Sequence, residues 1–223
     1  RLVVTPPKAG LDFAAVRVGE GFMVVSADPV TGVARDIGRY AVNVNANDVS
    51  TSGHEPQFAE SVILLPEGAG EATLGEIAGQ IHGEAKRLGI AVVGGHTEVT
   101  PGLRSPIVVI TAFSFVDRYV SSMWARAGSS MIMTKTAGLE GTAILSGSDR
   151  FLQRISVVKE AVAAYGTGDA LAMHDCTEGG GLGAAFEMSL ASGVGFELDE
   201  EKVPVAPKTR EVCLKHRIDP LKL

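Results

Sequence analysis

Four aspartates, in fixed order and each beside glycine or another small residue, constrain this chain more than any other feature. Asp12 stands in Gly-Leu-Asp-Phe-Ala-Ala, Asp28 in Ser-Ala-Asp-Pro-Val-Thr-Gly, Asp48 in Asn-Ala-Asn-Asp and Asp175 in His-Asp-Cys-Thr-Glu-Gly-Gly-Gly. Between the third and the fourth runs Gly94-Gly95-His96-Thr97-Glu98. Taken singly, each has a plain structural reading: an Asp before Pro starts a turn, Asp48 can cap the turn after it, and Asp12 can be a turn residue. Taken together, they share a situation, because each borders an apolar segment. Carboxylates gathered without a counter-ion repel by about 1–4 kcal/mol per close pair. A fold that gathers them needs a divalent cation, and an all-oxygen set suits magnesium far better than zinc. Glycines nearby let bare backbone approach phosphate. The ordered set points to a magnesium–nucleotide site and an enzyme that uses ATP.

Composition narrows the class. With 223 residues, 45% hydrophobic and 21% charged, the chain reads as a soluble globular protein of one large or two modest domains. A net charge of −6 argues against nucleic acid as a partner. The longest nearly uncharged apolar stretch, Ile107 to Val116, is well short of the roughly 18 residues that a membrane span takes. Two cysteines, Cys176 and Cys213, cannot build a disulfide framework, so a reducing cytoplasm is the expected location. The chain opens on Arg1 with no signal-peptide pattern, and its native start is expected upstream.

The first half alternates strand and helix patterns. Gly21 to Ser26 is an apolar run that ends near Asp28. Ile37, Tyr40, Ala41 and Val44 recur at helical spacing behind Asp36, a plausible N-cap, and that helix carries Asp48 near its end. Gln57–Leu65 reads as a strand. Leu74, Ile77, Ala78, Ile81, Ala85 and Leu88 make the cleanest amphipathic helix, stopped by Gly89. Ile90-Ala-Val-Val reads as a short buried strand that runs into a loop at Gly94-Gly95, and Pro106–Val116 as another strand. A second unit begins near Asp117. It offers strands at 131–134, 170–174 and 194–198, and helices after Gly138, over 155–165, after Gly179-Gly180-Gly181 and over 207–216. Interleaving without a regular beat favours an α+β fold of two similar-sized domains, 1–116 and 117–223.

The remaining candidates carry weaker signals. The five histidines show no tight ligand spacing. Cys176 beside His174 makes a poor zinc site, and such a thiol is more often a packed small residue than a nucleophile. The glycines at 179–181 precede a helix, whose free N–H groups and positive dipole end suit an anion. They match neither Walker A nor G-x-G-x-x-G, so they imply no common nucleotide fold.

The ordered motifs resemble the aminoimidazole ribonucleotide (AIR) synthase-related superfamily, with its PurM-like fold. The members include selenophosphate synthetase, thiamine-monophosphate kinase and the hydrogenase-maturation protein HypE. The resemblance covers nearly the whole chain, and the His174-to-Gly181 motif with Leu182, Glu187 and the later Ile218-Asp-Pro-Leu is most similar to the HypE branch. It implies a ferredoxin-like α/β amino-terminal domain that binds ATP and dimerises, followed by a carboxyl-terminal α+β domain, here incomplete. It further implies magnesium ligands at Asp12, Asp28, Asp48 and Asp175, and nucleotide contacts at Gly94, Gly95, Thr97, Gly179 and Gly180. Catalysis would fall to Asp175 and to His96, which stands where several members carry an acidic residue. The expected chemistry is ATP-driven activation of a small or protein-carried acceptor by phosphoryl transfer or dehydration, with a homodimer and a possible maturation partner. In HypE the acceptor is carried on a terminal cysteine. This chain ends without one, which leaves the acceptor open. The alternative function is a nucleotide-binding paralogue without turnover that assists assembly.

Overall fold

The computed structural model describes residues 2–33 and 35–223. The chain divides into two compact units. One holds the segment ending at Thr5 with Phe13–Ser50 and His54–Arg118; the other holds Pro6–Asp12, Thr51–Gly53 and Tyr119–Leu223.

The first unit is a six-stranded mixed sheet with two helices. Its elements are β1 (Val3–Thr5), β2 (Ala14–Val18), β3 (Gly21–Val30), α1 (Ile37–Ser50), β4 (Phe58–Leu65), α2 (Glu71–Leu88), β5 (Ala91–Val99) and β6 (Ile107–Val116). The strand order is β1-β2-β3-β6-β4-β5. β6 pairs antiparallel with both β3 and β4, so those two strands run parallel to each other with β6 between them. A strand period of two then sorts side chains by face. Val108, Ile110, Ala112, Ser114 and Val116 of β6 are buried on the face that α1 covers. Ile107, Val109, Thr111 and Phe113 are half-buried on the other face, and Phe115 is exposed there.

α1 is buried along almost its whole length despite carrying Asn43, Asn45, Asn47, Asp48 and Ser50. Helices α1 and α2 meet at Gly38, where a β-carbon would come within 2.7 Å of the Ile77 carbonyl oxygen. Beside that contact, Asn43 Nδ2 donates to Glu84 Oε1 at 2.7 Å, Arg87 Nε donates to the same oxygen at 2.9 Å, and Arg39 Nε lies 3.6 Å from Glu84 Oε2. The amphipathic pattern of α2 holds: Ile77, Ile81 and Ala85 are buried, and Gly89 ends the helix in the left-handed region at φ 75°.

Several expectations need correction. β1 and β2 lie outside the expected elements. β5 is not a short buried strand but an edge strand exposed along its whole length, and it continues through Gly94-Gly95-His96-Thr97-Glu98 where a loop was expected. Pairing with β4 carries it onward: the register slips once between Ala59 and Glu60, leaving Val93 out of the ladder. Gly95 has φ 152°, and a β-carbon there would fall 1.8 Å from the Ser61 oxygen, so only glycine fits.

The second unit is mainly helical: α3 (Leu139–Ser146), α4 (Asp149–Leu152), α5 (Val158–Gly166), α6 (Gly180–Ser192) and α7 (Pro207–His216). The helices expected after Gly138 and Gly179 and over 207–216 form, whereas the one expected from Ile155 starts at Val158. The runs at 131–134, 170–174 and 194–198 are not strands. Apolar runs become strands only beside a ladder partner, and among the described residues this unit shows only an isolated bridge between Ala137 and Val205.

Glu84 anchors the two helices of the first unit. Replacing it with Ala removes one acceptor each from Asn43, Arg39 and Arg87, and the expected loss is about 2 kcal/mol of stability. Urea denaturation of Glu84→Ala checks this, and an unchanged midpoint would leave the contact ornamental.

Candidate functional site

In the first unit, strand and helix periodicities bring two aspartates together. Ser26 and Asp28 lie two residues apart on the α1-covered side of β3, and Asn45 and Asp48 lie three apart on one side of α1. Ser26 Oγ donates to Asp48 Oδ2 at 2.7 Å, and both residues are buried. Asp28 donates its backbone N–H to Asn45 Oδ1 at 2.6 Å, and Asn45 Nδ2 donates back to the Asp28 carbonyl at 3.1 Å. Asp28 itself is exposed. One carboxylate is therefore held below the surface and the other presented at it, on a shared scaffold.

In the second unit, Asp12 and Asp175 converge on a residue that sequence reading passed over. His174 is 4% exposed at its side chain; its Nδ1 lies 3.0 Å from Asp12 Oδ1 and 3.8 Å from Asp175 Oδ1, and its Nε2 lies 3.2 Å from Glu187 Oε2. One ligand atom from each of Asp12, His174 and Asp175 can be chosen so that all lie within 4.8 Å of one another, close enough to hold a metal ion. The segment carrying Asp12 is fastened along α6. Lys8 Nζ donates to the Ala191 carbonyl at 2.7 Å, Ser122 Oγ donates to the Gly10 carbonyl at 2.6 Å, and a β-carbon at Gly10 would sit 2.1 Å from the Glu187 carbonyl oxygen. The sequence signal for His174 was its place at the head of the His174-to-Gly181 motif, while its partners are distant in the chain.

The glycine motifs stand on β5 and at the start of α6. Gly95 shares a cross-sheet row with Ser61, Ile110 and Asp28. Two strands intervene, which separates Gly95 from Asp28 by about 14 Å. Gly94, Gly95 and Thr97 are thus not gathered with Asp28 and Asp48 within this unit. His96 is exposed and pairs with Glu98, its Nε2 3.2 Å from Oε2; the Glu98 carboxyl is lowered by hydrogen bonds from Thr100 and His96. At the start of α6, Gly179 and Gly180 take φ 82° and 59°, and a β-carbon at Gly180 would meet the Leu221 carbonyl oxygen at 2.6 Å. The N–H groups expected to be free there are engaged in part: Gly180 N–H donates to the Thr177 carbonyl, Leu182 N–H to that of Leu221 and Gly183 N–H to that of Gly179. These glycines serve close packing.

Electrostatics in the second unit are set by desolvation. Desolvation by the atoms packed around it, followed by the Asp175 and Asp12 carboxylates, pushes the Cys176 thiol up to about 11, although the residue as a whole is exposed. Burial, with the Glu178 carboxylate second, pushes the Glu140 carboxyl up to about 7. A carboxyl that holds its proton more tightly when folded stabilises the fold fully below its ordinary value of 4.5 and loses that contribution as pH rises through about 7. Wild-type urea midpoints should therefore fall between about pH 5 and about pH 8, and fall less in Glu140→Gln. Equal falls in both proteins would remove Glu140 as the source.

Two domain families match the chain in order: "AIR synthase related protein, N-terminal domain" over residues 10–116 and "AIR synthase related protein, C-terminal domain" over residues 125–221. The carbamoyl dehydratase HypE of Rhizobium leguminosarum bv. viciae is 27% identical over 234 residues, covering 96% of this chain and 66% of that protein. The chain thus spans just under two thirds of that relative's length. Among solved structures, the HypE–HypF complex has a TM-score of 0.82 at 25% identity, covering 96% of this chain and 75% of that one. Hydrogenase maturation protein HypE in complex with ATP has a TM-score of 0.79 at 25% identity, covering 100% of this chain and 67% of that one. The α+β, PurM-like organisation expected from the motifs is the one found.

Proposed function

The chain belongs to the AIR synthase-related protein family, and from that premise we propose that it is a magnesium-dependent enzyme that uses ATP to activate an oxygen-bearing acceptor. The observation that carries this reading is the pairing of Asp48, buried and fixed by Ser26, with Asp28, exposed and fixed through its backbone by Asn45. Catalysis by positioning requires carboxylates held in place before the substrate arrives. The donor set is all oxygen, which fits magnesium. Asp28 and Asp48 would hold magnesium, which would supply the neutralising charge that phosphoryl transfer requires. Asp28 and Asp48 are assigned as ligands in the first unit, and Asp12 and Asp175 as the carboxylate set of the second, with Asp175 the catalytic candidate.

The acceptor follows from the relative's name. A carbamoyl dehydratase removes water from a carboxamide, and ATP drives this if the amide oxygen accepts the γ-phosphoryl and then departs as phosphate. The nitrogen gives up two protons, and a nitrile remains beside ADP. A carboxamide of this class, carried on a small molecule or on a protein, is the proposed substrate. The relative's complex with HypF supports a maturation partner for this chain as well.

Replacing either ligand with Asn removes a charge without changing its shape. Asp28→Asn and Asp48→Asn should each weaken magnesium–ATP binding about tenfold or more by calorimetry, with ADP formation falling in parallel. Unchanged affinity in both variants would sink the ligand assignment. Binding without ADP formation in wild type, with a carboxamide present, would favour the non-catalytic reading.

A homodimer is proposed on a separate observation. The sheet face away from α1 presents Met23, Val25, Val109, Phe113, Phe115, Phe58 and Val62, none of them buried. Phe58 stacks on Phe113 with ring centroids 5.4 Å apart. An apolar face of this extent is the kind that a second copy covers. Light scattering should give twice the 23.2 kDa of one chain. A Phe115→Glu variant should shift that mass toward the monomer, and a monomeric wild type would end the proposal.

A further inference from the structure

We propose that Asn45 is a positioning residue that fixes Asp28 for cation binding by standing in for a strand that the sheet lacks at that point. The inference rests on the assignment of Asp28 as a cation ligand. β3 has β6 on one side as far as the Val30–Val108 pair, but on its other side β2 departs at the Ala14–Val25 pair. Among the described residues, no strand runs beside Ser26–Val30 on that edge. An edge residue there is left with an N–H and a C=O that need a partner.

The Asn45 carboxamide supplies both. Its Oδ1 accepts from the Asp28 N–H at 2.6 Å and its Nδ2 donates to the Asp28 carbonyl at 3.1 Å, the same pair of bonds that an opposing strand residue would make. The second Nδ2 proton goes to the Ala41 carbonyl, 3.0 Å away on the preceding turn of α1. Both Nδ2 protons and Oδ1 are thereby engaged, and the residue is fully buried, so the side chain is held in one orientation. A helix residue that fastens the backbone of an aspartate while leaving that aspartate exposed is suited to fixing a carboxylate for a ligand.

The test is a double-variant cycle read by calorimetric titration of magnesium–ATP, with wild type, Asn45→Ser, Asp28→Asn and the double variant. Asn45→Ser removes both bonds to Asp28, while its hydroxyl can still bond the Ala41 carbonyl as helical serines do. The expected result is a roughly tenfold loss of affinity in each single variant, with the double variant no weaker than Asp28→Asn alone. Losses that multiply, or an Asn45→Ser protein that binds like wild type, would overturn the positioning role while leaving Asp28 a ligand. An Asp28→Asn protein that binds like wild type would remove the ligand assignment and this inference with it. Should Asn45→Ser not fold, amide exchange in the wild type decides: the Asp28 N–H should be protected like those inside the sheet, and exchange at the rate of an open edge would overturn the proposal.

Discussion

Burying α1 is the condition on which the first unit depends. The helix lies against β3 and β6 on one side and α2 on the other, yet it carries amides, a carboxylate and hydroxyls into that interior. Each buried polar group costs stability unless it finds a partner, and a half-satisfied set is worse than an apolar one. The partners here come from three elements. Glu84 and Arg87 of α2 take Asn43, Ser26 of β3 takes Asp48, and the backbone of Asp28 takes Asn45. The cost of polarity in the helix is thereby offset by contacts that also fix Asp48 and the backbone of Asp28, the carboxylates proposed as ligands.

The two units hold their aspartates by different means. In the first, the Ser26 hydroxyl bonds the Asp48 carboxylate and the Asn45 amide bonds the Asp28 backbone. In the second, a buried imidazole lies between Asp12, Asp175 and Glu187, so the charges are drawn together by a side chain rather than spaced by a scaffold. Asp12 reaches this cluster on a segment laid along α6, fastened through Lys8, Gly10 and Ser122. Elsewhere in this unit burial, with the Glu178 carboxylate second, raises the Glu140 carboxyl.

The sheet has one face filled by helices and one left half-exposed, and its β5 edge is open along its length. Open edges and apolar faces invite association, and His96 and Glu98 on β5 supply the charge that keeps such an edge from pairing indiscriminately. These features are the physical basis of the proposed dimer.

The sequence by itself was enough for local structure wherever the signal is short-range. The α2 helix with its Gly89 stop, the Pro207–His216 helix, the Gly138 and Gly179 helix starts and the apolar pattern of β6 are set by periodicity and by glycine's access to positive φ, both properties of neighbours in the chain. The ordered aspartates were legible as a motif set and, through them, so was the family. Tertiary structure alone decided the rest. Whether Ala91–Val99 is a buried strand and loop or an exposed edge depends on which strand lies beside it, and the apolar runs of the second unit are not strands because no neighbour forms a ladder with them. His174 gained its meaning from Asp12, 162 positions away, and Asn45 from a strand edge that β2 leaves uncovered. Side-chain roles of this kind are set by distances between remote segments, which no local pattern encodes.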